Sequence, residues 1–392
     1  MTEKKSTKRN QTLGYFGAFI TLGIGTSSLG PALPFLAHNT GSAISEISIL
    51  FTAKAGGYML GSFISGWLYD RLPGHAIAIT SIVGIAGTMA LLPVTPLLLV
   101  LVLIVALLGM VEGSLDVGCN AMLVWVHGEK VGPFMNALHF FFGIGTFFAP
   151  IMIAQSVLHS GEINWGFYTL ALIMMPVVIW LIRTPSLTHP KTSAESVKRG
   201  NTKILVLIMA FLIMYVGAEV GFGGWVYTYA LEGNLATVAS GAYLTSAYWG
   251  AFTVGRLASI PIAARVRPRW ILFVDLVGSV FSLLIIVLFP DSAAALWVGA
   301  ILLGLFFASI FPTIFIFAER RMTLTGAVTS MFFVGASLGG MSFPWLMGQL
   351  FETISPKAIM LVIMGDVLLA GVFYFILMRV SAAVKPVEIR PT

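Results

Sequence analysis

Apolar residues gather along this chain into runs separated by short polar or turn-forming stretches. A run of about 20 residues is what a helix needs to cross a hydrocarbon core of roughly 30 Å. Twelve runs fit, each to within a few residues: 13–36, 48–69, 76–92, 97–126, 133–158 and 164–183, then 204–230, 240–264, 270–289, 294–318, 326–350 and 357–378. The one long polar segment, 184–203, carries Pro185, Pro190, Lys191, Lys198, Arg199 and Lys203 and reads as a linker. The pattern predicts an all-α membrane protein: a six-helix half over 1–183, a linker over 184–203 and a second six-helix half over 204–392.

Composition agrees. With 58% hydrophobic and 10% charged residues, a chain of 392 residues has too little polar surface to cover a water-soluble globule. The net charge of +6 raises the question of nucleic acid, but the placement of the basic residues answers it differently. Nineteen of the 22 lysines and arginines fall on one side of the twelve runs; Lys54 and Arg256 lie within spans, and Lys357 alone lies on the other side. The positive-inside rule then puts both termini in the cytoplasm, and a bacterial cytoplasmic membrane is the expected location. No nucleic-acid partner is expected, and the protein is expected to be a monomer in the bilayer. The single cysteine, Cys119, allows no intrachain disulfide. The basic stretch 1–11 precedes an apolar run without a small-residue cleavage site, so it reads as leading into a retained first span.

The halves repeat. Gly61-x-Phe63-x-x-Gly66 returns as Gly250-x-Phe252-x-x-Gly255, Leu107-Leu108-Gly109 as Leu302-Leu303-Gly304, and Gly145-x4-Pro150 as Gly339-x4-Pro344, at offsets of 189, 195 and 194. Glycine and proline interruptions at matched places in two halves point to a transporter built from repeats.

Candidate chemistry centres on 109–120, which places Glu112 and Asp116 at mid-depth in the fourth span. At i, i+4 they share a helix face. An acid at that depth costs about 2.5–3.5 kcal/mol on insertion scales, so an intramembrane carboxylate reads as part of a solute or ion pathway. Desolvation and mutual repulsion disfavour charging both, and a shared proton is the expectation; a sodium site built from carboxylates and carbonyls is the alternative. Glu219 in the seventh span is followed by Gly221, Gly223 and Gly224, a cluster expected to loosen the helix and let unwound backbone line a site. Tyr215, Trp225 and Tyr229 offer flat apolar faces with hydrogen-bonding tips, suited to sugar rings. Asn136 and His139 lie one above the other in the fifth span, and Asn120 and Gln155 are further polar candidates. Lys54 is expected to snorkel outward, and Arg256 and Asp275 to neutralise one another. Asp366 in the twelfth span stands without a partner that the sequence identifies.

Twelve spans in 6+6 form, with Gly66-Trp-Leu-Tyr-Asp70-Arg71-x-x-Gly74-His75 after the second, resemble the major facilitator superfamily, whose loop motif is Gly-x-x-x-Asp-Arg-x-Gly-Arg/Lys. Here one residue is inserted before Gly74, and His75 replaces the usual base. The resemblance implies a gating role for Gly66, Asp70 and Arg71: close packing at Gly66, and a latch from Asp70 to the start of the eleventh span. Gly113-x-Leu115-Asp116-x-x-x-Asn120 and Tyr215-Val-Gly-Ala-Glu219 are similar to motifs of the L-fucose/proton symporter and glucose/mannose symporter group, with its sodium-dependent glucose transporter relatives. That resemblance makes Asp116 the coupling carboxylate. The fucose member's acid in the first span has no counterpart in 23–36, which leaves Glu112 or Glu219 for a second ionisable role.

The expected function is symport of a small polar solute, a monosaccharide first, coupled to a proton in preference to sodium, by alternating access. No cofactor or metal is expected beyond the co-transported ion. A proton-coupled efflux antiporter is the alternative; against it, the arginine such exporters carry in the fourth span reads here as Gly109, and the fifth span lacks their Gly-Pro pair. No metal spacing, nucleophile set or phosphate loop supports an enzyme.

Overall fold

The structure is a computed structural model that describes residues 2–69, 71–186, 202–322 and 326–382. Among these residues it is helical throughout, without strands. The first half consists of α1 (Thr2–Thr40), α2 (Ile44–Ile47), α3 (Ile49–Tyr69), α4 (Gly74–Leu91), α5 (Leu98–His127), α6 (Gly132–Ser160) and α7 (Asn164–Ile182). The second half consists of α8 (Thr202–Glu232), α9 (Val238–Arg265), α10 (Pro268–Leu288), α11 (Ala293–Phe307), α12 (Ile310–Glu319), α13 (Gly326–Thr353) and α14 (Ala358–Ala382). The short α2 continues into α3, and α11 with α12 makes the tenth span, so twelve crossings remain.

Eleven of these segments are apolar and long enough to cross a membrane. The twelfth, α9, has the length but carries Ser240, Thr245, Ser246, Thr253 and Arg256, the polar content of a helix that faces inward. Outside, large apolar side chains such as Phe63, Leu99, Leu172, Ile182 and Leu288 stand exposed, as a lipid-facing surface requires. The protein is therefore a multi-pass integral membrane protein.

The repeated glycines occupy matched seams. A Cβ at Gly109 would meet the Lys54 carbonyl of α3, and one at Gly304 would meet the Tyr248 carbonyl of α9. Likewise a Cβ at Gly145 would meet the Ile20 carbonyl of α1, and one at Gly339 the Ile213 carbonyl of α8. Without a hydrophobic force between helices in lipid, such backbone contact is what holds neighbours together. Gly66 differs from the expectation: nothing lies within 4 Å of a Cβ placed there. It therefore mediates no close packing in this state.

Two backbone features depart from the sequence reading. The glycine cluster in the seventh span does not unwind α8, which is unbroken; Gly223 and Gly224 instead give seats to the rings of Trp249 and Phe51. The interruption falls in the tenth span, at Ala308 and Ser309 between α11 and α12. Phe307 and Phe311, the repeat positions of Glu112 and Asp116, flank it.

The halves are sealed at one end. Gln349 Nε2 donates to the Ser45 carbonyl at 2.8 Å, Thr52 Oγ1 to the Met341 carbonyl at 2.9 Å and Gln155 Nε2 to the Tyr243 hydroxyl at 2.8 Å. Nearby, a Cβ at Gly30 would meet the Gly224 carbonyl at 2.8 Å. Toward the end that carries the termini the helices of the two halves part: Asn136 on α6 and Leu257 and Ala258 on α9 are exposed.

Candidate functional site

Close approach of α3 and α5 determines how the acids of the fourth span are held. Lys54 and Tyr58 lie i, i+4 on α3, as Glu112 and Asp116 do on α5, so the seam carries two rungs. In the first, the Lys54 ammonium stands 3.2 Å from Glu112, both side chains being almost fully buried. In the second, the Tyr58 hydroxyl donates to Asp116 Oδ2, and Asn120 Nδ2 donates to Asp116 Oδ1 at 2.7 Å. Asp116, Tyr58 and Asn120 keep partial exposure at mid-depth.

This arrangement corrects two expectations. Lys54 does not snorkel outward, because the Glu112 carboxyl group and two helix carbonyls inside offer its ammonium more than the lipid interface does. The sharing of a proton expected of Glu112 and Asp116 is disfavoured, because each carboxylate is engaged by its own partner on α3.

Across the opening, the Tyr215 hydroxyl contacts both Glu219 Oε2 and the Phe307 carbonyl, the latter at 2.9 Å. The break after α11 is what frees that carbonyl. A phenol has one hydrogen and a carbonyl can only accept, so both contacts are satisfied together when Glu219 carries the second proton. The Tyr248 hydroxyl donates to the Glu219 carbonyl at 3.2 Å.

Arg256 on α9 is the basic residue of this region of the second half, its guanidinium lying over the Phe252 ring, 4.5 Å from the centroid. Its Nε is buried without a hydrogen-bond partner among the described residues. The expected pairing with Asp275 is not found: Asp275 accepts a hydrogen bond from Ser309, at the helix break.

The remaining candidates divide. His139, partly accessible, packs edge-on against Phe19 with centroids 5.5 Å apart, and Asn136 is exposed one turn away. Trp225 is fully buried, its ring lying between Phe51 and Phe351 and its Nε1 donating to the Pro344 carbonyl at 2.9 Å. Tyr229 is likewise buried at the sealed end. Neither presents a ring to the opening in this state, because the seal has claimed both. Gln155 sits in the same seal. Arg71 stacks on Trp67 at 4.0 Å, while Asp70, and with it the suggested latch, lies outside the described residues. His75 is buried and holds the half together: Nδ1 donates to the Thr184 carbonyl at 2.9 Å, which leaves Nε2 to accept from the Tyr15 hydroxyl at 3.0 Å.

A family model described as Major Facilitator Superfamily matches residues 15–344. The chain belongs to this superfamily. The mouse sodium-dependent glucose transporter 1A is 28% identical over 86% of this chain and 88% of its own length. Sodium-dependent glucose transporter 1 of Xenopus laevis is 30% identical over 82% of this chain and 72% of its own. Major facilitator superfamily domain-containing protein 4A of Pongo abelii is 27% identical over 94% and 91%. Among solved structures, a mutant of the nucleoside transporter NupG superposes with a TM-score of 0.75 at 14% identity, covering 95% of this chain and 99% of that one. A bacterial homologue of the human lysosomal transporter Spinster, in an inward-facing, unoccupied conformation, gives 0.72 at 12% identity, covering 97% and 98%. Fold and relatives are those of superfamily transporters and not of enzymes.

Within this superfamily fold, the sequence reading missed Lys54, Tyr58, Tyr248 and Arg256 as members of the central clusters. One signal was present: Lys54 and Tyr58 repeat the i, i+4 spacing of Glu112 and Asp116 in a glycine-rich span.

Proposed function

We propose that this protein couples the movement of a small polar solute, a monosaccharide first, to the movement of a cation, with Asp116 as the coupling carboxylate. The observation that carries the proposal is that Asp116 keeps partial exposure at mid-depth with its two oxygens held by Tyr58 and Asn120. Relatives named sodium-dependent glucose transporters support the solute class. A proton is the inferred ion, since donors from Tyr58 and Asn120 occupy both oxygens of Asp116 in place of the oxygen cage a hard cation takes.

An ionised Asp116 attracts Arg256 across the interface and holds the halves in one arrangement. Neutralising it releases Arg256 from that attraction, and the halves are then free to rock about the bound solute. Placing the terminal end in the cytoplasm makes the sealed end the outer one, which supports an inward-open reading of this arrangement.

The test is uptake of labelled glucose, mannose and fucose into proteoliposomes under an imposed proton or sodium gradient. Accumulation of at least one hexose under the proton gradient, abolished by a protonophore, is expected. Transport of dyes or antibiotics with every hexose ignored overturns the reading. Arg256→Gln is expected to lower the initial rate of gradient-driven uptake by about tenfold or more, within the range of about 1–3 kcal/mol typical of coupling between sites. Arg256→Lys, which keeps the charge, should recover part of that rate in the same assay.

A further inference from the structure

Glu112 is the acid that the transport scheme leaves unused, and its surroundings are unlike those of Asp116. Its carboxylate reaches the backbone of α1 because residue 25 is glycine: a Cβ there would lie 2.5 Å from Glu112 Oε1. The same turn of α1 turns two carbonyl oxygens toward the Lys54 ammonium, Gly25 O at 2.9 Å and Thr26 O at 3.2 Å. With Glu112 Oε1 at 3.2 Å, three oxygens from two helices surround one nitrogen. An ammonium has three hydrogens to give, and two of them go to Gly25 O and Thr26 O. Yet Glu112 Oε1 receives no aligned hydrogen bond, so its attraction to Lys54 is coulombic and without direction. One carboxylate oxygen and two helix carbonyls are the ligands that small hard cations take, and a spherical ion needs no alignment.

We propose that Gly25 O, Thr26 O and Glu112 form a monovalent-cation seat whose resident cation is the tethered ammonium of Lys54, and that sodium occupies the seat when that ammonium is removed. In the native chain the tether makes the cation permanent. Glu112 is then matched without an exchangeable ion, and the ion that moves is left to Asp116. The proposal concerns the seat alone; it survives a failure to transport sugars, and sugar transport survives its failure.

The experiment follows thermal unfolding of the purified full-length protein at pH 8, in sodium chloride against choline chloride at constant ionic strength. Lys54→Ala should unfold at least about 3 °C higher in 100 mM sodium than in choline, as binding to the folded state alone requires. Wild type and the Lys54→Ala/Glu112→Gln double variant should show no such difference. A Lys54→Ala variant that folds and is blind to sodium overturns the proposal. If Lys54→Ala is not folded in choline, recovery in sodium supports the seat. If it folds in neither salt, Lys54→Gln, which keeps the volume, replaces it: a sodium-dependent rise supports the seat, and indifference to sodium, or failure to fold in both salts, overturns it.

Discussion

Asp116→Asn is expected to abolish gradient-driven accumulation while leaving counterflow exchange of the solute intact. Asparagine keeps the size of aspartate and an oxygen that accepts from Tyr58, so the contacts across α3 and α5 survive. What it loses is the ability to alternate between charged and neutral forms. A permanently neutral residue 116 resembles the ion-loaded carrier, which can cycle with solute bound; it cannot release the ion, so the gradient has no purchase on the cycle. Accumulation should fall by about 100-fold or more, to the level of empty liposomes, because an absent coupling step is not a weakened one. Side-by-side measurement of accumulation and of exchange in one preparation checks this. If the variant still concentrates solute against a gradient, Asp116 is not the coupling group.

Gly109→Val is expected to remove the folded protein altogether. A side chain at that position would press into the Lys54 carbonyl and lie 3.0 Å from the Tyr58 nitrogen, and backbone cannot step aside as a flexible side chain can. Forcing α3 and α5 apart also breaks both rungs that join them, leaving Glu112 buried beside a displaced lysine. Overpacking alone costs about 1–3 kcal/mol and a stranded buried charge about 3–5 kcal/mol, together comparable to the whole stability of a domain. Size-exclusion profiles in detergent should show loss of the monodisperse peak. Gly66→Val, placed where a Cβ meets nothing, should leave that profile unchanged.

The contrast between those glycines shows what the sequence could and could not tell. Hydrophobic runs report depth, because burying a polar group in hydrocarbon is costly wherever around the helix it points. The spans, their number, the repeats and the depth of Asp116 and Glu219 were therefore legible. Which direction a residue faces was not, since a helix that is apolar all round shows no period. Lys54 at its depth suits snorkelling as well as an inward ion pair, and only the glycine seam turns it toward Glu112. Trp225 and Tyr229 read as ring platforms because nothing in the chain says that Phe51 lies against one of them. The helix break was sought at glycines and lies instead at Ala308 and Ser309, where the Tyr215 hydroxyl donates to the Phe307 carbonyl and the Ser309 hydroxyl to Asp275.

The stack of Phe51, Trp225 and Phe351 at the sealed end is made of rings alone. To open that side, the protein must wet them, and the penalty for wetting apolar surface shrinks as water cools. Chilling therefore lowers the part of the cost of opening that end that comes from wetting these rings.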